Sequence, residues 1–290
     1  MPAMKSAFKT VVLIGNYMSP EIREPMLALA SFMAERQIHV MVEEKTAEQL
    51  DIKAYTIVHI NDIGATADLA VVLGGDGTML TVARALMHSS IPLVGVNRGR
   101  FGFLTDLSSE SMLESMGHIL AGKFTIEQRM LLSATIFRDG KVLNEDSALN
   151  DVVVSKGATA RLIELEISID GQFVHRQRSD GLIVATPTGT TAYALSAGGP
   201  ILHPGLDAIA LVPICPHTLS NRPIAINSAS KVEITLAESG DTCVLFDGHQ
   251  GTALVRGDKV LVQRAHKTVS LLHPLEHSHF AMLREKLHWG

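Results

Sequence analysis

The chain predicts two domains, an α/β domain on a doubly wound parallel sheet and then an all-β domain. Three observations predict this. Short apolar strands alternate with helical patterns over roughly the first 125 residues. Beyond about Phe124, strict apolar–polar alternation takes over, punctuated by Asp-Gly turns. The length of 290 residues is enough for two separate cores. The expected domains are residues 1–127, with 269–290 packing back on them, and residues 128–268.

Residues 10–14 read as the first strand. Ser19 then offers a helix N-cap with Pro20 at the first helical position, and Ile22, Met26, Leu29, Ala30 and Met33 form an apolar stripe. Residues 39–42, 69–73 and 91–96 read as further strands. A helical pattern over 78–87 separates the last two, so parallel βαβ units are expected. A helix near 109–120, ending at Gly122, closes the domain. In the second half, Ile163, Leu165, Ile167 and Ile169 share one strand face over 161–170, and Asp170-Gly171 turns the chain into 172–177. Val232, Ile234 and Leu236 alternate again. Residues 243–246 lead into Asp247-Gly248, and Gly257-Asp258 precedes a strand at 259–263. The tail, 278–287, reads as helix.

Composition narrows the function. A net charge of −5 and pI near 6.2 oppose nonspecific nucleic-acid binding, and 4% aromatic residues leave little for base stacking. Cys215 and Cys243 are too few for a disulfide framework or a cysteine-rich zinc site, and read as buried thiols in a reducing compartment. The apolar run 11–14 is too short for a leader, and no run suits a membrane span. A cytoplasmic protein that needs no membrane is expected.

The chemistry concentrates in two stretches. Gly74-Gly75-Asp76-Gly77 lies where the strand 69–73 ends and a helix begins. Glycines there admit a ligand close to the backbone, and the one side chain among them is a carboxylate near helix N-terminal N–H groups. Asp-Gly is also ordinary turn chemistry, and four residues alone decide nothing. Neither of two familiar phosphate loops, Gly-x4-Gly-Lys-Ser/Thr and Gly-x-Gly-x-x-Gly, is present. The second stretch, 179–200, runs from a strand into a loop dense in hydroxyls and glycines, whose O–H and N–H groups suit phosphate or ribose.

Taken with Asn97-Arg98-Gly99-Arg100-Phe101-Gly102-Phe103-Leu104-Thr105 and Asn150-Asp151-Val152-Val153, these stretches resemble the bacterial type of NAD kinase, in order and spacing over about residues 70–250. The resemblance implies an NAD kinase-like two-domain α+β fold with the site in the cleft between the domains. It implies transfer of phosphate from ATP to NAD to make NADP, with Mg²⁺ or another divalent metal arriving on ATP. Asp76 falls where the family has the base for the ribose 2′-hydroxyl, and Gly77 where it lines the substrate. Asn150 and Asp151 fall on the pair that holds ribose hydroxyls. Thr191, Ala192, Tyr193, Ala194, Leu195 and Ser196 match the family's substrate loop, and Arg161, Arg178, Asp180 and Gln250 resemble other contact positions. Homodimers or homotetramers are implied as well. Thr190 stands where many members carry Ser and Asp151 where Glu is common.

Arg178, two residues before Asp180, either faces the substrate or pairs with Asp180. Arg98 and Arg100 either meet ATP phosphates or are solvated. His273, His277, His279 and His288 crowd the C-terminus, but His277 and His279 are two apart, which separates their side chains, so no metal site is expected. His203, His217 and His249 read as surface or core residues. Two other functions share part of the pattern: a lipid kinase of the diacylglycerol type, which leaves the hydroxyl loop unexplained, and a dinucleotide sensor without turnover.

Overall fold

The computed structural model describes residues 6–16, 19–97, 102–157, 161–218, 220–238 and 241–289, the side chain of Gln250 excepted. The chain forms two compact units, Met1–Gln128 with Val269–Gly290, and Arg129–Thr268.

The first unit begins with β1 (Thr10–Gly15), α1 (Arg23–Ala34), β2 (His39–Glu43), α2 (Glu44–Gln49), β3 (Thr56–Val58) and α3 (Ile63–Thr66). It continues with β4 (Leu69–Leu73), α4 (Asp76–Ala85), β5 (Leu93–Asn97), β6 (Leu107–Ser108) and α5 (Met112–Leu120). The strands pair in the order β3-β2-β1-β4-β5, all parallel, and β6 adds beside β5. This is a doubly wound order, and its direction reverses between β1 and β4. Ligands bind open α/β sheets outside the carboxyl ends of strands at such a reversal. The glycine turn after Leu73 occupies that position.

Val11, Leu13, Val71, Val94 and Val96 pack against Ile22, Met26, Leu29, Ala30 and Met33 in one buried cluster. The predicted stripe of the first helix is therefore its core face. Its start differs. Pro20–Ile22 form a 3-10 turn, and Ser19 makes no side-chain capping bond there. Helix α2 is capped by the Glu43 carboxylate, which accepts the N–H groups of Lys45 and Thr46. Glu is not among the favoured N-caps, which is why the pattern hides this helix.

In chain order there follow β7 (Thr125–Arg138), β8 (Lys141–Ala148), β9 (Asp151–Lys156), β10 (Ile163–Ile169), β11 (Gln172–Ser179) and β12 (Gly181–Ala185). Then come α6 (Tyr193–Ser196), β13 (Ala208–Ile214), β14 (Ile224–Asn227), β15 (Val232–Glu238), β16 (Thr242–Phe246), β17 (His249–Leu254), β18 (Lys259–His273) and α7 (His279–Leu287). In the second unit one antiparallel sheet runs β14-β13-β12-β9-β16-β17, and another includes β11-β10-β15-β18 with the β7–β8 hairpin. Ile163, Leu165, Ile167, Ile234 and Leu236 of one sheet meet Val152, Val154, Leu182, Val184 and Phe246 of the other in a shared core. The opposite face of the first sheet is also buried, since Val153, Ile183, Ala210 and Val212 cluster with Ala194 and Leu202. Strands buried on both faces read as continuous apolar runs without alternation, which conceals β9 and β13 from a search for period two.

Asp170-Gly171 and Asp247-Gly248 both turn with positive φ at each residue, at 50° and 76° and at 50° and 78°. These are the type I′ hairpin turns that Asp-Gly favours. Strand β18 runs to His273, well beyond the predicted five residues, and its Leu271 pairs in parallel with Leu93 of β5. Helix α7 is capped by Ser278, which accepts from the Ala281 N–H. The expectation of two buried thiols fails: Cys215 is exposed, following the end of β13, and Cys243 is half-buried. Among the described residues no helix is long and apolar enough to cross a membrane.

Candidate active site

In the first unit Asp76 opens α4, with Gly75 at the N-cap in extended geometry. Its two carboxylate oxygens are each engaged by backbone. The Phe103 N–H donates to Oδ2 at 2.8 Å and the Leu104 N–H to Oδ1 at 3.0 Å. Thr105 Oγ1 also donates to Oδ1 at 3.4 Å, so the further lone pair for a ligand is on Oδ2. The segment that does this, Gly102–Thr105, turns on itself, with the Gly102 N–H donating to Thr105 Oγ1 at 3.0 Å. A Cβ at Gly102 would fall 1.8 Å from Asp76 Oδ1, so only glycine lets the segment approach the carboxylate. Asp76 is partly buried and Gly77 exposed.

In the second unit Asn150 and Asp151 enter β9. Asp247, in the turn after β16, accepts the N–H groups of Leu149, Asn150 and Asp151 at 2.9, 2.7 and 3.1 Å. Asp151 is 4% exposed. Burial, and then the nearby Asp247 charge, push its carboxyl up to about 7. The Tyr193 phenol is likewise held above its usual range, by burial first and then by the Cys215, Asp180 and Asp151 charges. Asp151, Asp180 and Tyr193 therefore share one acidic corner.

The hydroxyl loop is not a solvated one. Thr186 Oγ1 donates to the Leu149 carbonyl at 2.6 Å, Thr190 Oγ1 to that of Pro187 at 2.6 Å, and Thr191 Oγ1 to that of Thr188 at 3.1 Å. Arg129, 3% exposed, donates to Thr188 Oγ1 at 3.1 Å. Local side-chain-to-backbone bonds of this kind fix the loop's shape and engage the O–H groups of Thr186, Thr190 and Thr191. A Cβ at Gly189 would lie 2.0 Å from the Asn150 carbonyl oxygen, so the loop packs directly on the Asn150–Asp151 corner. Of the predicted contact segment, Thr191, Ala192 and Leu195 are partly buried, Tyr193 and Ser196 exposed, and Ala194 is core.

Asp180 joins β11 to β12, where the chain leaves one sheet for the other. It pairs with Lys156 at 2.7 Å, not with Arg178. Arg178 and Arg161 are exposed, and Arg161 precedes β10 instead of opening it. Arg98, Arg100 and the side chain of Gln250 lie outside the described residues.

Comparison with known proteins identifies these features together. Residues 11–124 match the family described as ATP-NAD kinase N-terminal domain, and residues 149–273 the ATP-NAD kinase C-terminal domain. The chain belongs to the NAD kinase family. A NAD kinase of Nitrosomonas europaea is 50% identical over 98% of this chain and 96% of its own length. One from Aromatoleum aromaticum is 50% identical over the whole chain and 97% of its own length. Among solved structures, yeast NADH kinase complexed with NADH has a TM-score of 0.90 at 27% identity, covering 97% of this chain and 88% of that one. A NAD kinase from Archaeoglobus fulgidus in complex with ATP has a TM-score of 0.70 at 24% identity, covering 95% and 99%, and shares the fold.

Three features of this NAD kinase-family chain escaped the sequence reading. Asp247 was visible only as a turn former. The Gly102–Thr105 segment was part of a motif, yet its bond to Asp76 spans 27 residues and has no periodic signal. The third is a cluster in the first unit, where Asp106 contacts His273 Nδ1 and lies 3.1 Å from His277 Nδ1, while His273 Nε2 lies 3.0 Å from Glu127. Burial lowers the His273 pKa, but Asp106 and Glu127 outweigh it and hold the imidazole up at about 9. Burial acts on Asp106 too, yet both imidazoles keep its carboxyl well below the usual range.

Proposed function

We propose that this chain transfers the γ-phosphoryl group of ATP to the 2′-hydroxyl of the adenosine ribose of NAD, making NADP. The observation that carries the reading is the Asp76 carboxylate, fixed by two backbone N–H groups at the sheet's reversal point in a chain of this family. A ribose hydroxyl is a poor nucleophile until its proton is taken. Asp76 accepts it on a free lone pair, and one such base supplies about 10²–10⁴-fold. Gly77 lines the substrate. Asn150, Asp151 and Asp180 orient ribose hydroxyls, with 191–196, Arg161, Arg178 and Gln250 completing the dinucleotide site. Residues 1–127 with 269–290, and 128–268, are the two functional domains.

Mg²⁺ prefers oxygen ligands and keeps much of its water. Asp76 fits such an ion, whereas the Asp106–His273–His277 group, rich in nitrogen, does not. A divalent ion arriving on ATP would neutralise phosphate charge, and phosphoryl transfer otherwise depends on positioning. The same reading places the protein in the cytoplasm as a homodimer or homotetramer. Exposed Phe173 and Val174 on the edge strand β11 support self-association.

Purified protein with NAD, ATP and Mg²⁺ should form NADP, detected by an NADP-specific dehydrogenase. No NADP above a protein-free control overturns the kinase reading, and NAD binding without turnover indicates a sensor. Asp76→Asn should bind NAD yet lose at least about 10²-fold in kcat. Wild-type turnover in that variant removes Asp76 as the base.

A further inference from the structure

We propose that Asp106, His273 and His277 form a zinc site in the first unit, separate from any ion carried by ATP. Their ligand atoms all lie within 4.8 Å of one another. Both imidazoles place Nδ1 beside the same carboxylate oxygen, Oδ2 of Asp106, so the three donor atoms form one group. Zinc bonds to N and O are about 2.0–2.2 Å. Two ligands on one ion therefore stand a little over 3 Å apart, close to the 3.1 Å between Asp106 and His277. The shorter His273–Asp106 contact must lengthen to that same spacing to admit the ion.

The surroundings match a metal site in two further respects. Metal-bound histidines commonly place the second ring nitrogen against a carboxylate, which fixes the ring and strengthens the ligand. Glu127 stands in that position, 3.0 Å from His273 Nε2. That nitrogen is buried and the approach is not aligned as a hydrogen bond, so it is left incompletely satisfied. An entry route also exists. A cavity of about 330 Å³ is lined by Asp106, His277, Ser115, Glu276 and Glu285, so solvent reaches the ligands and further oxygen donors stand nearby. Two imidazoles with one carboxylate suit zinc better than magnesium or calcium.

The His273 and His277 rings stack with centroids 4.1 Å apart. Zinc binds imidazole nitrogen through its unprotonated lone pair. The ion would tie the start of the C-terminal segment to Asp106, the residue directly after the Gly102–Thr105 turn that grips Asp76. Zinc would then rigidify the support of the glycine-turn carboxylate.

The test uses the full chain, stripped with chelator and free of nucleotide, titrated with zinc chloride against a chromogenic zinc indicator. One zinc per chain is expected. His277→Gln, at the cavity rim, should weaken binding by at least about tenfold, and Glu127→Gln by about 10–100-fold. His39→Gln, exposed at the start of β2, should bind as wild type. Zinc should also raise the thermal midpoint of the wild type but not of His277→Gln. Absence of stoichiometric zinc, or equal affinity in the wild type and both cluster variants, overturns the site and leaves Asp106, His273 and His277 as a contact cluster without metal. His273→Ala is avoided as the deciding variant because its buried ring also supports folding.

Discussion

Asp247 and Asp151 hold each other by main chain and side chain: the Asp151 N–H donates to Asp247 Oδ1 at 3.1 Å, and the Asp247 N–H donates to the Asp151 carbonyl at 3.0 Å. Asp247 does this from the left-handed region, φ 50°, which aims its carboxylate at three consecutive N–H groups. Asp247→Asn keeps the shape but sets an amide NH₂ against one or more of those donors. Leaving a partly buried donor unsatisfied costs about 1–3 kcal/mol. The urea midpoint should fall accordingly and the KM for NAD should rise. A variant with unchanged midpoint and unchanged KM would show that Asp247 positions nothing.

Asp151 gives the pH dependence its sign. Its folded pKa of about 7 lies above the ordinary 3.8, so the native state holds the proton more tightly than the unfolded chain. Stability from this group is present at low pH, falls as pH rises from about 4 to about 7, and is flat above. Urea unfolding at pH 5 and pH 8 should show the wild type losing more stability than Asp151→Asn. The difference should be at most about 2.7 kcal/mol, from about 1.4 kcal/mol per pH unit between pH 5 and about 7. Parallel losses in the two proteins would mean that Asp151 is not the group responsible.

Gly102→Ala tests the support of Asp76. The added methyl would meet Asp76 Oδ1 at 1.8 Å and Thr105 Oγ1 at 2.4 Å, so the carboxylate must leave its N–H partners. A displacement near 1 Å at a reacting group costs about 10²-fold. The expected result is a kcat loss of that order with KM for NAD within a few-fold, measured on protein shown to be folded. Full kcat in a folded variant would contradict the role given to the Gly102–Thr105 turn.

What could be read before the structure was local. Leu69–Leu73 is a short apolar run bounded by glycine, and Asp76 is the one carboxylate in its turn, so strand, turn and candidate base were all legible from neighbours in sequence. The partners were not. Asp247 reaches Asp151 across 96 residues and Asp106 reaches His273 across 167, and no period in the chain encodes either pairing. The histidine spacing at 277 and 279 weighs only neighbours, whereas Asp106, from the other half of the sequence, contacts both His273 and His277. Composition likewise shows the loop's hydroxyls but not that Thr186 and Thr190 donate inward.

Arg178 is, among the described residues, a cation left for a ligand. Its natural rival partner, Asp180, is bound to Lys156 at 2.7 Å, while the cross-strand neighbour Glu164 pairs with Arg176 at 3.1 Å. Arg178 is exposed and makes no ion pair among the described residues. An Arg in this state has its fork of donors open to phosphate. Arg178→Gly should therefore raise KM about tenfold for the substrate whose phosphate it meets, corresponding to one charged hydrogen bond of roughly 1.5 kcal/mol. Because the residue is solvated, stability should change by less than about 0.5 kcal/mol, so the kinetic effect is separable from unfolding. Steady-state kinetics with NAD against NADH, and with ATP against polyphosphate, will show which substrate depends on it. If the variant keeps wild-type KM and preference on both axes, Arg178 faces only water.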